Sequence, residues 1–150
     1  GCAAYPEGHP ESCAADGTRL PERDMEFLKL KQDQGADFAV TQMFFDNAVY
    51  ERFVEQAQAA NISMPLLPGV MPLNSASQIE RFVTLAGCAI PERLRQAASE
   101  EDVVEAGYAF ALEQCRNLLK NGAPGIHLYT LNQSAQSGRL AAALREEGLL

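Results

Sequence analysis

A glutamine at the end of a predicted strand is the residue whose surroundings most clearly suggest chemistry. In "VTQMFFD" (residues 40–46), residues 38–40 indicate a buried strand, and Gln42 follows it among apolar side chains. A buried amide costs free energy unless it is hydrogen-bonded, and it offers two donors and an acceptor. Gln42 is therefore suited to bind a heterocycle with alternating amide and amine groups. Capping of backbone groups at the strand end is the alternative.

Further candidates lie in a loop near the start of the chain and in the helix predicted after it. Tyr5 and His9 occur in "AYPEGHPE" and could both contact a ligand. The alternatives are that the Tyr5 ring packs under the loop and that His9 is solvated. Asp24 and Lys31 are two helical turns apart and so share one face of the helix. Either both side chains are simply solvated, or Asp24 contacts a ribose hydroxyl and Lys31 contacts a phosphate.

Four predicted strands alternate with the helices that must position these residues. The strands cover 1–5, 38–43, 64–69 and 125–129, and the longer helices cover 22–34, 47–60, 101–121 and 140–147. Gly35 is suited to end the first helix, and Asp46 is suited to cap the start of the second. Two shorter helices are predicted to begin at Ser75 and after Pro91. Such alternation indicates an α/β fold with a parallel sheet, either doubly wound or a (β/α)8 TIM barrel. In a barrel, functional residues gather at the carboxyl ends of the strands, where Tyr5, Gln42 and Tyr129 occur.

Composition excludes several classes of function. A net charge of −8 without a basic cluster argues against a nucleic-acid partner, and no apolar run reaches the length of a membrane span. The four cysteines lack C-x-x-C spacing, so we expect reduced thiols in a cytoplasmic protein and no metal site. The sequence has no G-x-G-x-x-G loop, so we do not expect a Rossmann dinucleotide site. We expect one domain over residues 1–150, and the opening "GCAAYPE", without an initiator Met, suggests a fragment.

By periodicity alone, Phe82 is a core residue and Gln78 a solvated one. Phe82 falls with Ile79 on the apolar face of the helix predicted after Ser75, and Gln78 lies beside that face as a solvated residue would. Of Phe44 and Phe45, we expect one to pack inward and the other to cover the rim.

Several stretches together resemble one enzyme family. "AAYPEGHPE" (3–11), "LKLKQDQGADFAVTQMFFD" (28–46), "PLLPGVMPLNSASQIERF" (65–82) and "HLYTLN" (127–132) are similar to the C-terminal half of methylenetetrahydrofolate reductases. The resemblance covers nearly the whole chain, and its most specific blocks are TQ.FFD and PG.MP.

The resemblance implies a (β/α)8 barrel that binds FAD at its strand ends, with this chain supplying about the last four β/α units. It implies reduction of 5,10-methylenetetrahydrofolate to 5-methyltetrahydrofolate by NADH or NADPH, with ping-pong hydride transfer through FAD. The reaction belongs to one-carbon metabolism and methionine biosynthesis. The half that would precede residue 1 is absent, so an isolated fragment would be inactive. Because a half barrel exposes two sheet edges, we also expect a homo-oligomer.

The resemblance also implies roles for particular residues. The general acid would lie in the absent half, so no catalytic residue is assigned in this chain. The flavin-binding residues would be Ala3, Tyr5, His9, Asp24 and Lys31. The folate-binding residues would be Gln42, Gln78, Phe82 and Tyr129, with Phe82 stacking in turn on folate and nicotinamide.

Three departures and two alternatives accompany this interpretation. The loop at 12–23 is longer than usual in the family, Phe27 and Leu30 replace polar flavin contacts, and Gln133 replaces a basic residue. One alternative is another FAD barrel oxidoreductase, of the proline dehydrogenase type. The other is a non-catalytic half-barrel that serves in binding or assembly.

Overall fold

The structure, a computed structural model, describes residues 1–9, 12, 16, 20–75, 77–78, 92, 96 and 103–150. Strands and helices alternate along these residues, as the sequence predicts. The elements are β1 (Cys2–Ala4), α1 (Pro21–Asp33), β2 (Ala39–Thr41), α2 (Asn47–Ala59), β3 (Leu66–Leu67), β4 (Gly69–Val70), α3 (Val103–Lys120), β5 (His127–Leu128) and α4 (Ser134–Glu146). Phe82 and the helix predicted after Pro91 lie outside the described residues, apart from single positions.

All strand pairs among the described residues are parallel. Sheet order is β1-β2-β3, with Ala4 opposite Thr41 and Ala39 opposite Leu66, and β4 pairs with β5. Only Pro68 separates β3 from β4, so the single strand predicted at 64–69 is in fact two short ones. Proline has no N–H to continue the first ladder, while its carbonyl accepts from the His127 N–H at 2.9 Å. The carboxyl ends of the strands therefore lie along one edge.

Local signals define the first two helices closely. Gly35, just beyond α1, has φ +93°, the left-handed conformation that glycine adopts without strain. The Asp46 carboxylate accepts a hydrogen bond from the Ala48 N–H at 3.0 Å and caps α2 as predicted.

The prediction for the last helix was wrong at its start. The sequence pattern predicts a helix that begins at residue 140, whereas α4 begins at Ser134. Its first turns consist of small polar residues, so the hydrophobic pattern becomes visible only at Leu140 and Leu144. Ser137 is nevertheless buried with these two residues, at the spacing of one helix face.

Two hydrophobic clusters lie between the sheet and the helices. The first joins β1–β3 to α1 and α2, and the second joins α2, β4, α3 and α4. Both Phe44 and Phe45 are buried, so the expectation that one of them covers the rim was wrong. Phe44 stacks on Tyr50 with 5.6 Å between ring centroids. Within the described part of the chain, no helix is long and apolar enough to cross a membrane.

Candidate functional site

A cleft of about 380 Å³ lies at the carboxyl end of β1, beside α1. It brings together all five residues for which the family resemblance implies flavin contact. They are Ala3, Tyr5, His9, Asp24 and Lys31. The four with polar or aromatic side chains form the cleft group: Tyr5, His9, Asp24 and Lys31.

Asp24 anchors the loop that follows β1. One carboxylate oxygen accepts the His9 main-chain N–H at 2.9 Å, and the other accepts the Ser12 hydroxyl at 2.6 Å. Each oxygen retains further acceptor capacity, because a carboxylate offers about four lone-pair sites. Asp24 can therefore hold the loop and still accept a hydrogen bond from a ligand hydroxyl.

Lys31 places a positive charge beside the aromatic residues of the cleft. Its Nζ donates to the Ala3 carbonyl at 2.9 Å and lies 6.0 Å from the centroid of the Tyr5 ring. Tyr5 and His9 meet edge to face, with centroids 4.4 Å apart. This arrangement combines one ammonium group with two aromatic rings, as a site for an anionic, planar ligand requires.

The two apolar substitutions in α1 have different positions. Phe27 lines the cleft, is 46% exposed and lies with its ring centroid 5.7 Å from the Arg23 guanidinium carbon. Leu30 is 52% exposed and lines a separate groove between α1 and α2. Only Phe27 is therefore available to a ligand in the cleft.

A second set of residues, the edge group, surrounds the carboxyl end of β2. Thr41 ends β2, Gln42 follows it, Gly69 begins β4 and Tyr129 follows β5. The Tyr129 hydroxyl donates to the Thr41 carbonyl at 3.0 Å, immediately before Gln42. Burial raises the pKa of Tyr129, and the charge of nearby Tyr5 raises it further. The structure therefore brings the strand-end residues Tyr5, Gln42 and Tyr129 to one edge.

Gln42 itself is held mainly through its backbone. Its N–H donates to the Ala4 carbonyl at 2.7 Å, which places it beside the start of the loop that carries Tyr5. Its side-chain oxygen accepts from the Met43 N–H at 3.3 Å, a long hydrogen bond. Within the described ranges, its amide nitrogen has no protein acceptor, so the side chain can bind a ligand.

Gly69 allows the edge group to pack closely. Its N–H donates to the Thr41 hydroxyl at 2.9 Å. A Cβ atom at this position would lie 2.4 Å from the Thr41 carbonyl oxygen and 2.5 Å from a carbon of the Tyr129 ring. Only glycine fits at this crossing without movement of its neighbours.

Gln78 belongs to a chain of amides that links the ends of β4 and β5. Its side-chain oxygen accepts the Asn74 N–H at 2.7 Å, and Asn74 Nδ2 donates to Gln133 Oε1 at 2.9 Å. The intervening turn after β5 has Leu131 at φ +47° and Asn132 at φ +64°. Gln133 is thus held by Asn74.

The sequence profile described as "Methylenetetrahydrofolate reductase" matches residues 1–144. The chain belongs to this family. It is 37% identical over 99% of its length to a probable methylenetetrahydrofolate reductase (NADPH) of Caenorhabditis elegans, and 38% identical over 87% to a methylenetetrahydrofolate reductase (NADH) 1 of Arabidopsis thaliana.

Curated members of the methylenetetrahydrofolate reductase family are longer than this chain. The chain spans 22% of the Caenorhabditis protein and 23% of the Arabidopsis protein. It is 34% identical to the 5,10-methylenetetrahydrofolate reductase of Escherichia coli over 90% of the chain, which is 45% of that enzyme.

A solved structure shares the fold at low sequence identity. It is described as an uncharacterized protein from Clostridium thermocellum that binds two copies of 5-methyl-5,6,7,8-tetrahydrofolic acid. The superposition has a TM-score of 0.62, covers 99% of this chain and 53% of that one, and the identity is 17%.

Several residues that support the site had no individual role predicted for them from the sequence. Thr41 reads as an ordinary strand residue and Gly69 as part of a Pro-Gly turn, although both support the edge group. Gln114 lies mid-helix, where glutamine is common, yet it is buried and donates to the Phe44 carbonyl at 2.9 Å. An unbroken apolar face around Gln114 is the one feature that could have indicated its burial.

Proposed function

We propose that this chain carries the flavin- and folate-binding residues of a flavin-dependent 5,10-methylenetetrahydrofolate reductase that uses NADH or NADPH. One observation supports this proposal most strongly: a single cleft at the end of β1 gathers Ala3, Tyr5, His9, Asp24 and Lys31. Membership of the family and the names of the relatives from Caenorhabditis, Arabidopsis and Escherichia coli point to the same reaction.

We further assign the chain to the last four β/α units of a (β/α)8 barrel, as one domain over residues 1–150. The parallel strands and the alternation of strands with helices support this assignment. The lengths of the curated relatives fit it too, since the Escherichia coli enzyme is about twice as long as its matched region.

The cleft has the chemistry that FAD needs. Its volume of about 380 Å³ lies within the range of cofactor pockets, although it suits part of a dinucleotide rather than all of it. Lys31 and Arg23 offer positive charge to phosphate oxygens, and Asp24 offers an acceptor to a ribose hydroxyl. When bound, FAD would supply hydride transfer between the nicotinamide and folate substrates.

The edge group would orient the folate. The Gln42 amide can donate to and accept from a pterin ring at once, which answers why a glutamine ends β2. Gln78 and Tyr129 would contribute further contacts from the ends of β4 and β5, and Phe82, outside the described residues, would stack on the ligand. We assign no general acid to this chain.

The first test separates the two half-reactions in the protein encoded by the whole open reading frame. Without oxygen, the yellow flavoprotein should bleach with NADH or NADPH and regain its colour with 5,10-methylenetetrahydrofolate. Bleaching without recovery of colour would favour another FAD barrel oxidoreductase, such as the proline dehydrogenase type. A colourless protein that takes up no FAD would favour a non-catalytic binding module.

Gln42→Ala then tests the folate assignment. Loss of hydrogen bonds to the pterin should slow reoxidation by folate about tenfold or more, while reduction by the nicotinamide changes little. Stopped-flow absorbance measures both rates. The control is Gln58→Ala, which removes an exposed amide from α2. Equal slowing of both half-reactions by Gln42→Ala would refute the pterin contact.

A further inference from the structure

Gln114 is a buried amide in a helix whose other buried residues are small or apolar. It is 6% exposed, and Ala111, Cys115 and Leu118 are buried on the same helix. A buried amide without a partner would cost free energy, and an apolar residue here would pack without that cost. The hydrogen bond that Gln114 makes therefore offsets the cost of burying its amide.

That hydrogen bond connects α3 to the segment that follows β2. Gln114 Nε2 donates to the Phe44 carbonyl at 2.9 Å, and the Gln114 carbonyl accepts from Asn47 Nδ2 at 3.3 Å. The first contact holds a residue shortly after Gln42, and the second holds the first residue of α2. One helical residue thus fixes the chain between the end of β2 and the start of α2.

The other side of Gln42 is also fixed. The Thr41 carbonyl accepts from the Tyr129 hydroxyl at 3.0 Å, and the Gln42 N–H donates to Ala4 at 2.7 Å. Gln42 therefore lies between two main-chain carbonyls that accept hydrogen bonds from side chains of distant elements. The short segment between these carbonyls has little freedom to move while both bonds hold.

We infer that Gln114 is a positioning residue for Gln42: its bond to the Phe44 carbonyl fixes the segment that presents the Gln42 amide to the folate. This inference rests on the proposed function. A purely structural role would lower stability without distinguishing the two half-reactions. A positioning role slows the half-reaction in which Gln42 contacts the ligand.

The test is Gln114→Met, which keeps the length of the side chain and removes the donor. In the protein from the whole open reading frame, reoxidation by 5,10-methylenetetrahydrofolate should slow about fivefold or more, with a raised KM for folate. Reduction by NADH or NADPH should change less than about twofold. Leu144→Val, a buried change in α4, is the stability control and should slow neither half-reaction selectively.

The outcomes separate the inference from the function on which it rests. Equal slowing of both half-reactions by Gln114→Met, no slowing of either, or a selective folate defect in Leu144→Val would overturn the inference alone. Failure of the unmodified protein to reoxidise with folate would overturn both. If Gln114→Met does not fold, Gln114→Asn tests the same bond, because its shorter side chain no longer reaches the Phe44 carbonyl. A selective folate defect is again the expected result, and equal slowing of both half-reactions would overturn the inference.

Discussion

The cleft group and the edge group lie side by side but achieve their geometry differently. In the cleft group, the polar side chains themselves line the space, and Asp24 and Lys31 bond to main-chain atoms of β1 and its loop. In the edge group, Gln42 is supported by other residues, among them a fully buried threonine and a glycine that no other residue could replace without displacement.

This difference separates binding from support. Side chains of the cleft group are partly exposed, and those of Asp24 and Lys31 are already hydrogen-bonded to protein, so a ligand would add to or exchange those contacts. Around Gln42, buried contacts fix the main chain and leave the side-chain amide nitrogen available. Changes at the cleft should therefore weaken ligand binding, whereas changes beneath the edge group should first affect folding.

The largest expected effect is that of Gly69→Ala. The new methyl group would overlap the Thr41 carbonyl and the Tyr129 ring, and one of these must move. Overpacking of this kind typically costs about 1–3 kcal/mol, and two simultaneous overlaps place the expected loss at about 3 kcal/mol. Urea unfolding of the whole protein measures it.

Gly138→Ala is the matched control. Gly138 lies in α4, and a Cβ there would contact nothing within 4 Å. Alanine in a helix should stabilise the protein by about 0.5–1 kcal/mol relative to glycine. A similar loss of stability in both variants would show that Gly69 is not a special point of close packing.

The next effect appears at alkaline pH. Tyr50 supports the segment after β2, because it stacks on Phe44 and its hydroxyl donates to the Leu66 carbonyl at 2.7 Å. Burial raises the pKa of Tyr50 from 10.0 to about 12. Between these values the unfolded chain releases a proton that the folded protein keeps, so the free energy of unfolding falls as pH rises.

Tyr50→Phe should remove this dependence. At pH 11 the ionisation of Tyr50 should have lowered the free energy of unfolding of the unmodified protein by about 1 kcal/mol. The difference in free energy of unfolding between the unmodified protein and Tyr50→Phe should therefore narrow from pH 9 to pH 11. Burial also raises the pKa of Cys115 to about 12, but that contribution is present in both proteins and cancels. A constant gap would show that Tyr50 is not held in its neutral form by the fold.

Features encoded within a few residues could be predicted from the sequence. Asp46 and Gly35 act where local chemistry places them, and the spacing of Asp24 and Lys31 puts both on the cleft side of α1. Strand-end residues could be predicted to share an edge because parallel strands align their carboxyl ends. The family resemblance added the expected ligands.

Features that depend on distant partners could not be predicted. The burial of Gln114 depends on a carbonyl 70 residues away along the chain, and that of Phe45 on packing against Phe110. Thr41 and Gly69 make a pair only because Pro68 divides the strand and brings β4 to β5. No periodicity within one element carries that information.

The smallest expected effect on stability is that of a change in the cleft group. Lys31→Met keeps the aliphatic stem but removes the ammonium group that bonds to Ala3 and would contact a phosphate. FAD affinity should fall about tenfold, which corresponds to about 1.4 kcal/mol, with little change in urea stability. Equilibrium dialysis at two salt concentrations measures the affinity for FAD. The loss of affinity should be smaller at high salt, because the contact is partly exposed.

Lys29→Met is the control for that change. Lys29 lies on the same helix but lines the separate groove between α1 and α2, where it pairs with Asp33. Both substitutions remove one positive charge, so a general effect of net charge on FAD binding would appear equally in both. If only Lys31→Met weakens FAD binding, the charge acts from within the cleft; equal weakening would move the phosphate contact out of the cleft group.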